Sequence, residues 1–254
     1  MSEAQFEGVC SSSWAITVAS VANDVFCAAS NITITGVRVS YQNIIECCSK
    51  CSIGYTNGCY GGNFVEAMDY LVSTGAVTGN RKTDSVTENC KNYKLRECYL
   101  NPENSPACED GADFDMKSAV GMCNMKCDSD QQKYVDAIKK INSKILVASS
   151  ATGGGYSVSM ESEVKNGNVL ITEMVVFEDL YAYKTGDIYV HLYGRSIGTV
   201  TVAIIGFGVD NGTSFWWVRV PWGEKFGDKG VIKVQKGTNN CGIESPGNSY
   251  YLTA

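Results

Sequence analysis

Histidine, proline and charge are scarce in this sequence of 254 residues. The single histidine, His191, is the one imidazole available to any mechanism that needs such a base. Only 4 prolines and a charged fraction of 19% argue against a proline-rich linker and against a highly charged, disordered chain. With 21 basic residues against 27 acidic ones, the net charge is −6, which argues against nucleic acid as a partner.

Long apolar runs and targeting signals are missing as well. No stretch approaches the roughly 18 consecutive apolar residues of a membrane span, so we expect no such span. The N-terminal sequence MSEAQFEGVC has neither the basic start nor the apolar core of a secretory signal.

Cysteine, by contrast, is abundant, and it indicates the cellular setting. The 12 cysteines fall in close groups, which is typical of a disulfide framework formed in an oxidising compartment. We therefore expect a secreted, lysosome-like or extracellular protein whose targeting segment is absent from this chain. Two N-x-Ser/Thr sequons, at Asn31 and Asn211, are candidate glycosylation sites and agree with a secretory route.

The first half of the chain is predicted to be helical. Apolar residues at helical spacing predict helices over 13–30, 41–47 and about 62–74. The first of these has so narrow a polar face that we expect it to be buried on most sides. Residues from about 80 to 128 are rich in Cys, Asn, Asp and Glu, which is typical of disulfide-stapled loops, and 131–142 has an amphipathic helical pattern.

The second half has the pattern of β-structure. Runs rich in β-branched and aromatic residues, bounded by Gly, Asn and Asp, occupy 169–177, 187–192, 199–207, 214–220 and 230–236. A helical, disulfide-rich half followed by an antiparallel β half predicts an α+β fold with two lobes, at about 8–130 and about 131–254. A cleft between the lobes is the expected place for a ligand.

Several motifs point to a known family. They are Cys10-Ser-Ser-Ser13-Trp14 at the start of the first helix, Val39 to Cys48, Gly58-Cys-Tyr-Gly-Gly62, and the late segment 206–245. In this order they resemble the nucleophile segment, the second helix, the glycine-rich turn and the closing β-segment of papain-like cysteine peptidases, cathepsin B in particular. The resemblance covers nearly the whole chain and implies one papain-like unit, with a helical left lobe, an antiparallel β right lobe and a cleft between them.

The resemblance also implies which cysteines pair. Carried over residue by residue, the family's pattern joins Cys10 to Cys59, Cys47 to Cys123, Cys48 to Cys51, Cys90 to Cys127 and Cys98 to Cys108. Cys27 and Cys241 are left over, and Cys241 is expected to be a buried thiol. A zinc site at the close pairs 48/51 and 123/127 is the alternative, but no histidine lies near them, so we expect neither a metal nor a cofactor.

The four positions at which the family places its catalytic groups carry other residues here. Ser13 stands at the nucleophile position, Val200 at that of the histidine, Val220 at that of the asparagine and Glu7 at that of the glutamine that donates to the oxyanion. A serine hydroxyl needs a general base even more than a thiol does, and a Glu7 carboxylate is expected to repel a developing negative charge. The sequence therefore predicts a pseudoenzyme, a catalytically inactive member of the family.

What remains of the family's site is suited to binding. The backbone of the glycine-rich turn can still pair with an extended peptide. The candidates for the peptide cleft are Trp14, Gly61, Gly62, Trp222 and Pro246. We expect a binding or structural protein whose partner is an inhibitor, a peptide or an assembly neighbour. The alternative is a residual serine-dependent peptidase or hydrolase that uses Ser13, with Glu7 or a lysine as its base.

Overall fold

The architecture consists of helices packed on one seven-stranded sheet. The computed structural model describes residues 7–30, 38–53, 58–80, 89–95, 121–129, 133–148 and 155–254. Their α-helices are α1 (Ser13–Ser30), α2 (Tyr41–Cys47), α3 (Phe64–Ser73) and α4 (Tyr156–Lys165). Their strands are β1 (Ser143–Leu146), β2 (Leu170–Phe177), β3 (Ile188–Tyr189), β4 (Ser196–Asp210), β5 (Thr213–Arg219), β6 (Val231–Gln235) and β7 (Tyr250–Thr253).

The first three helices lie where the sequence predicts them, and two of them start at side-chain caps. The Ser40 side chain accepts a hydrogen bond from the Asn43 N–H at the start of α2. Asn63 does the same for two N–H groups at the start of α3. The residues of α1 from Trp14 to Ala22 are buried, as its narrow polar face predicts.

The sheet has the strand order β1-β7-β2-β4-β5-β6-β3. All neighbouring strands run antiparallel except β3 and β6, which run parallel at one edge. The long central strand β4 pairs with β2 on one side, with Val200 opposite Met174, and with β5 on the other. The pairing with β5 starts at Ala203, opposite Arg219, so the beginning of β4 has no strand on that side.

Two hydrophobic cores meet along this sheet. The helical core is built around Trp14 and Met68 and reaches Ile171 and Ala203 on one face of the sheet. The second core surrounds Trp216. We call the line where the cores meet, at the start of α1 and of β4, the seam.

Disulfides hold the helical part together. The structure contains the bonds Cys10–Cys59, Cys47–Cys123, Cys48–Cys51 and Cys90–Cys127. These are pairs that the family resemblance implies, while Cys98 and Cys108 lie outside the described residues. Cys27 and Cys241 take part in none of these four bonds, and Cys241 is buried.

Two features differ from the sequence-based expectations. In the amphipathic segment 131–142, the described residues 133–142 form only a short 3-10 helix, Tyr134–Ala137, because Lys139 exchanges two backbone hydrogen bonds with Ala76 and so leaves the helical path. Strands β1 and β7 and helix α4 were not predicted, since they are short and lack a clear apolar period.

Among the described residues, no helix is long and apolar enough to cross a membrane.

Candidate functional site

At the seam, side chains of α1 make hydrogen bonds to the backbone of β4 at a place where β5 does not yet pair with it. The Thr201 N–H donates to Ser13 Oγ (3.2 Å), and Thr17 Oγ1 donates to the Thr201 carbonyl oxygen (2.8 Å). Because β5 begins to pair only at Ala203, both backbone groups of Thr201 would be unpaired without these hydroxyls. Ser13 and Thr17 lie one helical turn apart and therefore fix α1 to β4.

The strand residues at the family's histidine and asparagine positions are apolar and buried. Val200 is 3% exposed and Val220 is fully buried, and both belong to the core of the sheet. Neither side chain can accept or deliver a proton. The titratable side chain that does contact the start of α1 is that of Glu7.

Hydrogen bonds to both its backbone and its side chain fix Glu7. The Tyr93 hydroxyl donates to the Glu7 carbonyl oxygen (2.8 Å). The Glu7 carboxyl group accepts a hydrogen bond from the Trp222 indole N–H (2.9 Å), and the backbone of Ser12 and Ser13 lies close enough to it to lower its pKa. The side chain thus faces the N-terminus of α1 and is only 8% exposed.

Burial determines the charge of Glu7. Desolvation raises the pKa of its carboxyl group to about 8, and the hydrogen bond from Trp222 and the nearby backbone of Ser13 and Ser12 offset this rise only in part. At neutral pH the group is therefore the uncharged acid. The expectation that Glu7 repels a developing oxyanion is wrong for this reason, since an uncharged carboxyl group can donate a hydrogen bond.

The glycine-rich turn rests directly on the Trp14 indole. The Trp14 Nε1–H donates to the Gly58 carbonyl oxygen (3.1 Å). A Cβ atom at Gly62 would lie 2.3 Å from the indole, so a larger residue does not fit there. Trp14 is 1% exposed and supports the turn from below, which corrects the prediction that it lines the cleft.

Above this indole, the backbone N–H and C=O of Gly62 have no hydrogen-bond partner among the described residues. Gly62 opposes Ser52 in an isolated antiparallel bridge. Two N–H···O bonds close the bridge, from Ile53 to Gly61 (3.2 Å) and from Asn63 to Cys51 (2.8 Å). Because backbone groups alternate in direction along an antiparallel pair, the N–H and C=O of Gly62 point away from Ser52 and take no part in the bridge.

Exposed apolar side chains flank this edge. Ile53 is 62% exposed and Tyr60 is 60% exposed, while Gly61 and Gly62 are partly exposed. We call these four residues the Gly62 edge. It combines the N–H and C=O of Gly62, which have no partner in the described part of the chain, with two apolar side chains, which is the chemistry that an extended peptide requires.

The single histidine serves another part of the fold. His191 Nδ1 lies 3.2 Å from both carboxylate oxygens of Asp179, and its ring stacks on Phe177. Desolvation opposes ionisation of Asp179, but the stronger combined effect of its hydrogen bonds, from backbone N–H groups, the Tyr189 hydroxyl and His191, lowers its pKa to about 2. This cluster orders the loop that leads into β4.

The other predicted site residues lie in different surroundings. Trp222 is 9% exposed, because its indole bonds to Glu7 and packs on Phe226, so it supports the seam and does not line an open cleft. Pro246 is exposed in the turn before β7, and Asn211 is exposed at the tip of the β4–β5 hairpin. The sequon at Asn31 lies outside the described residues.

Tyr93 and Thr201 are site residues that sequence reasoning missed. The buried Tyr93 hydroxyl lies 3.3 Å from Ser12 Oγ and also bonds to Glu7, 86 positions away in sequence. It belongs to a stretch whose composition predicts only stapled loops. Thr201 acts through its backbone, which leaves no signal in its residue type.

No metal centre is formed by the part of the chain that the structure describes, where three or more His, Cys, Asp or Glu side chains are nowhere grouped to hold an ion. The cysteines of the zinc alternative are in disulfides and therefore cannot be thiolate ligands.

The sequence as a whole is similar to known proteins. Residues 1–251 match the family described as "Papain family cysteine protease". The chain belongs to this family. Among similar curated proteins, cathepsin B-like cysteine proteinase 4 of Caenorhabditis elegans is 35% identical over 92% of this chain and 66% of its own length. Cathepsin B-like cysteine proteinase 3 of the same organism is 33% identical over 94% of this chain and 58% of its own length.

Solved structures of papain-family precursors share the fold. The structure titled "proCathepsin B S9 from Trypanosoma congolense" superposes with a TM-score of 0.75 at 24% identity, covering 99% of this chain and 71% of that one. Digestive procathepsin L 3 of Tenebrio molitor larval midgut gives a TM-score of 0.66 at 19% identity, covering 100% of this chain and 67% of that one. The expected papain-like α+β fold is confirmed.

These comparisons contradict the prediction that this papain-family chain is not an enzyme. Its relatives at 32–35% identity, over 92–94% of the chain, are named as cysteine proteinases. The chain spans 58–66% of the length of these relatives.

Proposed function

We propose that this member of the papain family binds an extended peptide along the Gly62 edge, beside the N-terminus of α1. The observation that carries the proposal is that the N–H and C=O of Gly62, held in place by the indole below, have no partner among the residues that the structure describes. A peptide that adds as a strand satisfies both groups. Ile53 and Tyr60 then contact apolar side chains of that peptide.

The partner is a peptide segment with apolar side chains, supplied by a substrate or by an inhibitor protein. The disulfides Cys10–Cys59, Cys47–Cys123, Cys48–Cys51 and Cys90–Cys127 support a secretory, lysosome-like or extracellular setting for this encounter. The exposed position of Asn211 supports glycosylation there.

Backbone methylation of the ligand tests the proposal without disturbing the protein. A fluorescent, capped tetrapeptide of apolar residues is titrated with the protein, and its binding is compared with that of analogues N-methylated at one amide each. We expect one analogue to bind about tenfold more weakly, because it cannot donate to the Gly62 carbonyl oxygen and its methyl group blocks the approach. Equal affinity for all analogues would contradict strand-like binding.

Substitutions in the protein test the same surface without changing the peptide. Ile53→Ser and Tyr60→Ser are each expected to weaken binding several-fold, about the effect of losing one apolar contact. Val135→Ser is the matched control, since Val135 is similarly exposed (69%) but lies on a different segment. Equal loss in the control would show that the effect is not local.

A second candidate function is hydrolysis of the bound peptide with Ser13 as nucleophile. Two observations favour it, namely the names of the relatives and the contact between the Glu7 carboxyl group and the Ser13 backbone N–H. In its ionised form Glu7 is the candidate base that takes the Ser13 hydroxyl proton as Oγ attacks the peptide carbonyl carbon. The proton then passes to the leaving amine, and water releases the acyl group from Ser13.

This candidate predicts a rate that rises as pH increases through about 8, where Glu7 ionises. Cleavage of a fluorogenic peptide is measured for the unmodified protein, Ser13→Ala and Glu7→Gln, with exposed Ser11→Ala as control. We expect the first two variants to lose cleavage and Ser11→Ala to keep it. Cleavage that survives in Ser13→Ala would contradict the role of Ser13.

A further inference from the structure

The helical part contains a cavity of about 430 Å³ that shares no residue with the seam or the Gly62 edge. This volume is in the range of small-molecule binding sites. Helix α3 forms one wall of the cavity with side chains that lie on one face of the helix, Glu66, Asp69, Tyr70 and Ser73. The opposite face of α3 packs into the helical core, so this wall is the side of the helix that the core leaves uncovered.

The wall opposite α3 is fixed by a covalent bond and by a hydrogen bond. The Cys47–Cys123 disulfide joins the end of α2 to the segment that carries Met125. The Tyr134 hydroxyl accepts a hydrogen bond from Asn43 Nδ2 of α2 (2.9 Å). Because these bonds lie within the protein, the cavity is formed before any ligand enters it.

The inside of the cavity suits an apolar body. Ile138, the Met125 thioether and the side chains of Tyr70 and Tyr134 line it. Burial raises the pKa of Tyr70 to about 12, so this side chain is an uncharged phenol at neutral pH. Aromatic rings and a flexible thioether pack well against aromatic or aliphatic groups of different shape.

Three charged side chains also line the cavity, and they differ in how they are neutralised. Asp69 pairs with Lys144 of β1 (2.6 Å). Glu66 is partly buried, and no lysine or arginine of the described residues pairs with it. Lys50 is exposed, and its long side chain can extend into water. The Glu66 carboxylate is therefore the charge that a ligand in the cavity has to match.

We propose that this cavity binds a small organic cation, whose ammonium or guanidinium group pairs with Glu66 while its apolar body packs on Tyr70 and Met125. A cation close to aromatic rings is also attracted by their π-electrons. Such a ligand neutralises the unmatched carboxylate and covers Met125, which is 72% exposed. Since the cavity and the Gly62 edge are separate, the cation and a bound peptide do not compete.

The experiment uses dansylcadaverine, in which an aromatic fluorophore is joined to a primary ammonium group. Its fluorescence anisotropy is recorded at neutral pH with the unmodified protein, with Glu66→Gln, and with the control Glu163→Gln on α4, whose carboxylate is also partly exposed. We expect the control to bind as the unmodified protein does and Glu66→Gln to bind about tenfold more weakly, as for the loss of one charged hydrogen bond. The N-acetylated probe, which is neutral, should bind the unmodified protein just as weakly.

Lys50→Gln tests the same charge in the opposite direction. Because it removes a like charge near the cation, it should tighten binding of the amine by about twofold. Equal affinity of the amine for the unmodified protein and Glu66→Gln would overturn the proposal. Stronger binding of the neutral probe, or no binding of the amine to the unmodified protein, would overturn it as well.

Two neighbouring methionines show where the cation binds without any substitution. Met125 lines the cavity, whereas Met122 is 87% exposed and does not line it. Dilute hydrogen peroxide oxidises exposed methionines to the sulfoxide, and mass spectrometry follows each residue separately. Saturating dansylcadaverine should slow the oxidation of Met125 several-fold and leave that of Met122 unchanged. Equal rates at Met125 with and without the amine would contradict binding in this cavity.

Discussion

The helical part and the sheet of this protein are held together by different means. In the helical part, the described residues between α3 and β1 contain only a short 3-10 helix, and disulfides such as Cys90–Cys127 fix their position. In the sheet, from β2 to β7, each strand is fixed by backbone pairing and by a dry core around Trp216, with no disulfide. The comparison shows that covalent links replace regular backbone hydrogen bonds where these are few.

A buried charge cluster also stabilises the helical part. Lys91 Nζ lies 2.5 Å from Glu46 Oε2, and both side chains are almost fully buried in the helical part. Lys94 pairs with the other oxygen of the same carboxylate. Such a cluster fixes irregular backbone because removing one partner would leave a buried charge alone.

The largest expected effect comes from the core of the sheet. Trp216 is fully buried and its indole N–H donates to Glu244 (2.8 Å), so Trp216→Ala should lower the free energy of unfolding by about 3–5 kcal/mol. Trp217→Ala, at a partly exposed position of the same strand, should cost about 1 kcal/mol. Chemical denaturation measures both. Equal losses would contradict the assignment of Trp216 to the core.

Removing a disulfide should affect the helical part alone. Replacing both Cys10 and Cys59 with alanine opens a loop with a sequence separation of 49 and should cost about 2–4 kcal/mol. Hydrogen exchange should speed up at the start of α1 and in the glycine-rich turn, while amides of β4 and β5 keep their protection. If the sheet exchanged as fast as the helical part, the two regions would not be held independently.

The smallest effect tests the seam that joins the two regions. Thr17→Val removes the donor to the buried Thr201 carbonyl oxygen and should cost about 1 kcal/mol. Thr74→Val, at an exposed position, is the matched control and should be nearly neutral. A neutral Thr17→Val in thermal unfolding would mean that α1 and β4 do not depend on this bond.

The same division explains what the sequence could predict. The spacing of apolar residues and the positions of turn residues predicted α1 to α3 and the strands from β2 to β6, because local pattern and burial agree there. The segment 131–142 was misjudged since its bond partner, Ala76, lies far away in sequence.

At the site, residue type alone gave the wrong charge for Glu7. Its carboxyl group is uncharged because of burial that depends on Trp222 and Tyr93, which are distant in sequence. The free backbone of Gly62 follows from a bridge with Ser52, which only the fold reveals.

Peptide binding at Gly62 is the central claim, and the backbone amide resonance of that residue tests it most directly. When a capped apolar peptide is added to the labelled protein, the Gly62 N–H signal should shift downfield, as expected for a new hydrogen bond. The analogue N-methylated at the pairing amide should leave the signal in place. A peptide that binds while the Gly62 signal stays unchanged, with shifts confined to other surfaces, would contradict the claim.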